Sequence, residues 1–96
     1  MIRFHYKSSY LKAFDRLGTA DQRIVQFADE EIRVYCKKGE ASFGLRIKKL
    51  RDASLGEIYE ARASQSLRIV WVRSGDVISF ALLGNHEDVR NYLKNI

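Results

Sequence analysis

Proline is absent from the 96 residues, cysteine, methionine and tryptophan occur once each, and histidine occurs twice. Without proline, chain reversals fall to Gly, Ser, Asn and Asp. With Cys36 alone, neither a disulfide framework nor a cysteine-based zinc site can be built, which fits a reducing cytosol. His5 and His86 have no second His or Cys at metal-ligand spacing, so no metal site is expected. No apolar run approaches the roughly 20 residues that span a bilayer, and Met1–Ser8 holds no signal-peptide hydrophobic stretch. A cytoplasmic protein without membrane association is expected. There is also no internal repeat and no linker-like composition break, so residues 1–96 read as one domain.

What is present is an uneven charge. Lys and Arg number 17 against 12 Asp and Glu, a net charge of +5. Residues 1–32 balance five basic against five acidic groups, and residues 74–96 carry two against three. Residues 33–73 hold ten basic against four acidic groups, a net +6 that exceeds the surplus of the whole chain. A block of this kind favours an anionic partner and reads as a footprint for phosphate. Within it, Gly44-Leu-Arg-Ile-Lys-Lys-Leu-Arg51 places Arg46, Lys48, Lys49 and Arg51 as candidate backbone-phosphate contacts, which would be RNA-binding residues if the partner is RNA.

Periodicity separates a helical first part from a strand-rich second part. Ile2–Tyr6 looks like a short strand. Ser8 or Ser9 can cap a helix with the stripe Tyr10, Leu11, Phe14 and Leu17, which Gly18 stops. Thr19-Ala-Asp-Gln22 matches a capping box opening a second helix with Ile24, Phe27, Ala28, Ile32 and Tyr35 at helical spacing. Together they predict an αα-hairpin. Leu45–Arg51, Glu57–Ala63, Leu67–Arg73 and Val77–Leu83 then read as four strands, the last three in an antiparallel meander. Val70, Trp71, Val72, Ile78, Phe80 and Leu82 make the central strands apolar on both faces, so both need cover. Asn85 can cap a last helix that Glu87 and Asp88 favour at its N-terminus, with Val89, Tyr92, Leu93 and Ile96 as its apolar side.

Alternation along Glu57–Ala63 puts Ile58, Glu60 and Arg62 on one face. If the Ser64-Gln65-Ser66 turn pairs Ala63 with Leu67, Arg62 faces Arg68 across the strands. Like charges so placed are destabilising, and a bound phosphate would give the arrangement a reason; a surface ion network through Glu60, or a one-residue register difference, would dispose of it otherwise. His86 stands at the start of the last helix, an end that suits anions. Tyr92, six residues on, is open to core, stacking or catalytic readings.

Over almost its whole length the chain resembles the RelE/ParE superfamily of bacterial and archaeal toxins from type II toxin–antitoxin systems. The resemblance rests on the order of elements, on Ile58-Tyr-Glu-Ala-Arg62, on Leu67-Arg-Ile-Val-Trp-Val72 and on Leu83-Gly-Asn-His-Glu-Asp-Val-Arg-Asn-Tyr92. It implies an α+β fold in which an N-terminal helical hairpin packs on a four-stranded, mainly antiparallel twisted sheet with a short C-terminal helix. It further implies a metal-independent endoribonuclease without cofactor, cutting mRNA, often in the ribosomal A site. A cognate antitoxin would silence it in a toxin–antitoxin hetero-oligomer. The implied roles are Arg62 and Arg68 as transition-state clamps, Glu60 or His86 as base, and His86 or Tyr92 as acid. Several members carry lysines at the Glu60 position and an arginine at the His86 position. The ParE branch, which shares the fold and inhibits DNA gyrase by protein binding, is the alternative.

Overall fold

The structure is a computed structural model that describes residues 1–40 and 43–96. Its elements are β1 (Arg3–Tyr6), α1 (Ser8–Asp15), α2 (Thr19–Lys38), a 3₁₀ turn (Phe43–Leu45), β2 (Lys48–Ala53), β3 (Gly56–Arg62), β4 (Arg68–Ser74), β5 (Val77–Gly84) and α3 (His86–Lys94). The strands form one five-stranded mixed sheet in the order β1-β5-β4-β3-β2.

The expected four-stranded sheet is thus one strand short. β1 joins the edge parallel to β5, pairing Arg3 with Val77 through Tyr6 with Phe80, and backbone bonds from Arg3 N to Asp76 O and Lys7 N to Phe80 O close its ends. Parallel pairing needs a long crossover, here supplied by everything between β1 and β5, so the local pattern of five residues carries no hint of it. The helical pair is likewise not the first element but follows β1.

β4 is the central strand, and Ile69 to Val72 along it are all buried. The resulting core is two-sided. On one side α1 and α2 contribute Tyr10, Val25, Ala28, Ile32 and Cys36 to a cluster with Ile69, Trp71, Ile78 and Phe80. Tyr6 stacks on Phe80 with ring centroids 4.7 Å apart and Tyr59 on Trp71 at 5.7 Å. On the other, α3 brings Val89 against Ile58, Val70, Val72 and Ala81.

Helix details depart from the sequence reading. α2 buries Val25, Ala28, Ile32 and Cys36, whereas Ile24 is 38% and Phe27 67% exposed. At about 100° per residue, the buried four share one face from which Phe27 points well away. The Thr19 capping box does not form, because the helix begins one residue earlier: Gly18 is the cap, and the Gln22 amide donates instead to the Phe14 carbonyl at 3.0 Å. Lys7 precedes α1 without a side-chain cap, and the Ser9 hydroxyl donates to the Ala81 carbonyl. Ile96 lies 42% exposed rather than on the buried side of α3. Leu45 belongs to the 3₁₀ turn and β2 starts at Lys48, so the strand is displaced toward the two-residue Ser54-Leu55 turn.

Gly56, just after that turn, has φ +136°, and a Cβ there would lie 2.4 Å from the Arg73 carbonyl oxygen of β4. Gly56→Ala should therefore lose about 2–3 kcal/mol or more in urea denaturation, through the backbone conformation and the clash together. Cys36 is a free, buried thiol pushed up to about 11 by burial. At pH 8 its alkylation by iodoacetamide should be at least about 100-fold slower in the native protein than in urea, since far less thiolate is present and access is closed.

Candidate active site

The β3–β4 turn sets the register of the charged face. Ala63 N donates to Leu67 O at 2.9 Å, and the ladder then runs Arg62 opposite Arg68 and Glu60 opposite Val70. The two arginines do face one another across the strands. On the outer side, β2 pairs Lys48 with Glu60, and on the inner side Arg68 pairs with Gly84 at the end of β5.

Glu60 is only 4% exposed, the single charged residue in the core set. Lys48 Nζ lies 3.7 Å from one of its oxygens and Arg68 Nη1 3.9 Å from the other. Both separations exceed hydrogen-bond reach, so the carboxylate is balanced by charge on two sides while its lone pairs remain open among the described residues. Arg68, with its side chain 13% exposed, has a buried Nε without a hydrogen-bond partner. Arg68 thus brings a buried donor without a partner to the strand position beside Glu60, while Arg62, half-buried and opposite Arg68 in the ladder, also borders a cleft with Ile24, Phe27 and Leu45. Buried polar groups are normally paired, and a buried donor without a partner next to a loosely balanced carboxylate fits a ligand that presents an anionic acceptor and a hydroxyl donor together.

α3 begins directly beyond this group. Asn85 caps it, accepting from Asp88 N while the Asp88 carboxylate accepts from Asn85 N, both at 2.8 Å. A Cβ at Gly84 would run into the Asp88 side chain that makes this cap. His86 is the exposed first residue of the helix, two positions past the partner of Arg68. Tyr92 is not gathered with them. It packs with the Ile58–Val70 cluster and borders a shallow cleft with Lys7, Ser9 and Leu82 on the β5 side, and burial pushes its phenol up.

The four basic residues expected to contact RNA are placed differently from one another. Lys48 joins the Glu60 group, a membership that becomes readable once the Ser54-Leu55 turn fixes the hairpin register. Lys49 pairs with Asp52 at 2.7 Å and Glu57 at 3.2 Å, which hold its ammonium above the usual range. Arg51 donates to the Leu93 carbonyl near the end of α3 at 3.2 Å, and Arg46 is exposed with φ +49°. Among the described residues no three His, Cys, Asp or Glu side chains converge as a metal centre would need. Among the described residues no helix is long and apolar enough to cross a membrane.

Neither the protein-family models nor the curated proteins contain a match to this chain. Solved structures do. A copper-bound mutant toxin from Helicobacter pylori is similar with a TM-score of 0.71 and 21% identity, over 93% of this chain and 99% of that one. The archaeal RelE of a RelE–RelB complex from Pyrococcus horikoshii gives a TM-score of 0.65 and 20% identity, over 88% and 93%. A YoeB/ParE toxin from Agrobacterium tumefaciens gives 0.66 and 18%, over 88% and 99%. The chain has the fold of the RelE/YoeB/ParE-type toxins.

The like-charge pair makes a stability test possible without any ligand. Arg62→Ala should leave the protein equally stable or more stable by up to about 1 kcal/mol. Glu60→Ala, which strands Arg68 beside Lys48 without a counter-charge, should cost about 2–4 kcal/mol. Urea unfolding monitored by Trp71 fluorescence reads both.

Proposed function

We propose that this protein is a RelE-like toxin: an endoribonuclease that cleaves mRNA, in association with the ribosome, and is neutralised by a cognate antitoxin bound in a hetero-oligomer. The observation that carries the reading is the buried Glu60 with open lone pairs next to an Arg68 whose Nε lacks a partner, faced by Arg62. RNA offers both complements at one linkage, a ribose 2′-OH and the adjacent phosphate. Glu60 accepts the 2′-OH proton as that oxygen attacks phosphorus. Arg68 and Arg62 hold the extra negative charge of the phosphorane, and the P–O5′ bond breaks as an acid gives the leaving oxygen a proton. The products are a 2′,3′-cyclic phosphate and a 5′-hydroxyl. The acid is His86 or Tyr92; the position of His86 at the helix start two residues past the partner of Arg68 supports His86. Lys48 offsets Glu60 and adds a phosphate contact. The Pyrococcus relative was solved with RelB, which supports an antitoxin as the partner.

The Agrobacterium relative bears both the YoeB and the ParE name, and so a ParE-like reading, in which the toxin binds and inhibits DNA gyrase, is carried alongside. One experiment separates the two: induced expression in a bacterium without the antitoxin, with growth and primer extension on an abundant mRNA followed together. Wild type should arrest growth and produce new RNA 5′ ends. Arg68→Ala should lose roughly 10²–10³ in cleavage rate, and Arg68→Ala with His86→Ala should leave RNA intact. Lys48→Ala should weaken RNA binding and reduce its salt slope by about 1. Growth arrest with intact RNA and insensitivity to Arg68→Ala would move the assignment to gyrase.

A further inference from the structure

A small cleft lies on the sheet face opposite Glu60. It encloses about 160 Å³ between α1, α2 and the end of β1, walled by Leu11, Phe14 and Val25 and bearing Tyr6, Tyr10 and Asp29. The Tyr6 hydroxyl donates to both Asp29 oxygens at 2.7 and 2.8 Å. Arg33 Nη2 stands 3.8 Å from Asp29 and is 42% exposed, so it offsets that charge from the solvent side without a direct hydrogen bond. Tyr10 is 3% exposed, and its hydroxyl has no hydrogen-bond partner. Burial raises the pKa of Asp29, and burial together with the Asp29 carboxylate raises that of Tyr10. An apolar wall with a few convergent polar groups, one of them unmet, is the usual composition of a small-molecule site. The volume is close to the roughly 150 Å³ of cavities that hold a benzene-sized guest.

We propose that this cleft binds a protonated alkylamine, with its methylenes against Leu11, Phe14 and Val25 and its ammonium donating to Asp29 and to the Tyr10 hydroxyl oxygen. An ammonium brings three donors and no acceptor, which complements a carboxylate and a phenol oxygen at once. An anion is repelled by Asp29, and a neutral alkane leaves the polar groups unmet. The amine comes either from a free small molecule or from a lysine side chain on a bound protein. The site is independent of RNA cleavage, since it shares no residue with the Glu60 group.

The test is ¹⁵N–¹H NMR of the full chain titrated with n-butylammonium, butane-1,4-diammonium and N-acetyl-lysine-N′-methylamide, with 1-butanol as the neutral control. Saturable shifts centred on Tyr10, Val25 and Asp29 are expected, with a Kd on the order of 1 mM and butanol at least about tenfold weaker. Asp29→Asn should weaken amine binding about tenfold. Tyr10→Phe should weaken it about threefold while leaving the melting temperature of the free protein unchanged or higher, because it removes a buried hydroxyl that has no partner. That opposite response keeps the test decisive even if Asp29→Asn fails to fold. A free amine binding more tightly than the blocked lysine supports a small-molecule ligand, and the reverse order supports a partner's lysine. Absence of saturable shifts, equal shifts with butanol, or amine binding unaltered in Tyr10→Phe overturns the proposal.

Discussion

Everything in this small protein is arranged around a central strand that tolerates water on neither face. Ile69, Val70, Trp71 and Val72 are consecutive and buried, so β4 must be flanked by strands on both edges and covered by helices on both sides. Cover on one face comes from the long α2 with α1. Cover on the other comes only from the nine-residue α3, which is too short to span the whole sheet. The part of that face left without helical cover is the end where β3 stops, β4 starts and β5 hands over to α3. The ion group occupies that end, because a charged cluster can be half-desolvated there by the sheet without being sealed under a helix.

The electrostatics of that corner run against folding in the free protein. Two guanidinium groups face each other, a carboxylate is almost fully buried, and its cationic neighbours stand just too far for hydrogen bonds. A structural ion pair at this depth would be expected to close up, since burial repays the desolvation of two charges only when their geometry is good. Loose spacing is what a preorganised site requires: donors and an acceptor held in place by β-ladder register, with room left for the group whose charge develops during reaction. Under the proposed reaction, stability and activity are opposed at Arg62, since a side chain that would serve a phosphorane is a burden to the fold.

How much of this was readable from residues alone follows the range of the interaction. The Arg62–Arg68 juxtaposition was legible, because a three-residue turn and the period of two fix it locally. The Asn85 cap and the double-sided burial of β4 were legible for the same reason. The parallel pairing of β1 with β5 was not, since its partner lies more than 70 residues away and four residues carry no pairing code. The buried side of α2 is not legible in this way, because Ile24 and Phe27 also recur at helical spacing and hydrophobicity alone does not say which of two apolar stripes meets the sheet. The charge block marks Lys48 as a phosphate contact, and only the hairpin register makes it the neighbour of Glu60 as well. The Tyr6–Asp29 contact and the unmet Tyr10 hydroxyl left no trace in the sequence pattern, being contacts between elements.

The structural relatives share this fold at about one-fifth identity, and a shared fold does not by itself fix an activity. Distinction has to reside in side chains that the core does not demand. Glu60 and Arg68 are such residues: Ile58, Val70 and Val72 already supply the apolar cover that α3 needs, and an apolar pair at 60 and 68 would pack there at lower electrostatic cost. Retaining a buried charge where a hydrophobic side chain would serve is a sacrifice of stability with no structural return. Binding a protein surface such as gyrase would not require a proton-accepting carboxylate and a phosphate-holding cation sunk below the surface of the sheet, whereas the proposed proton abstraction beside a phosphate would. The location of these charges, more than their number, is what favours chemistry over docking.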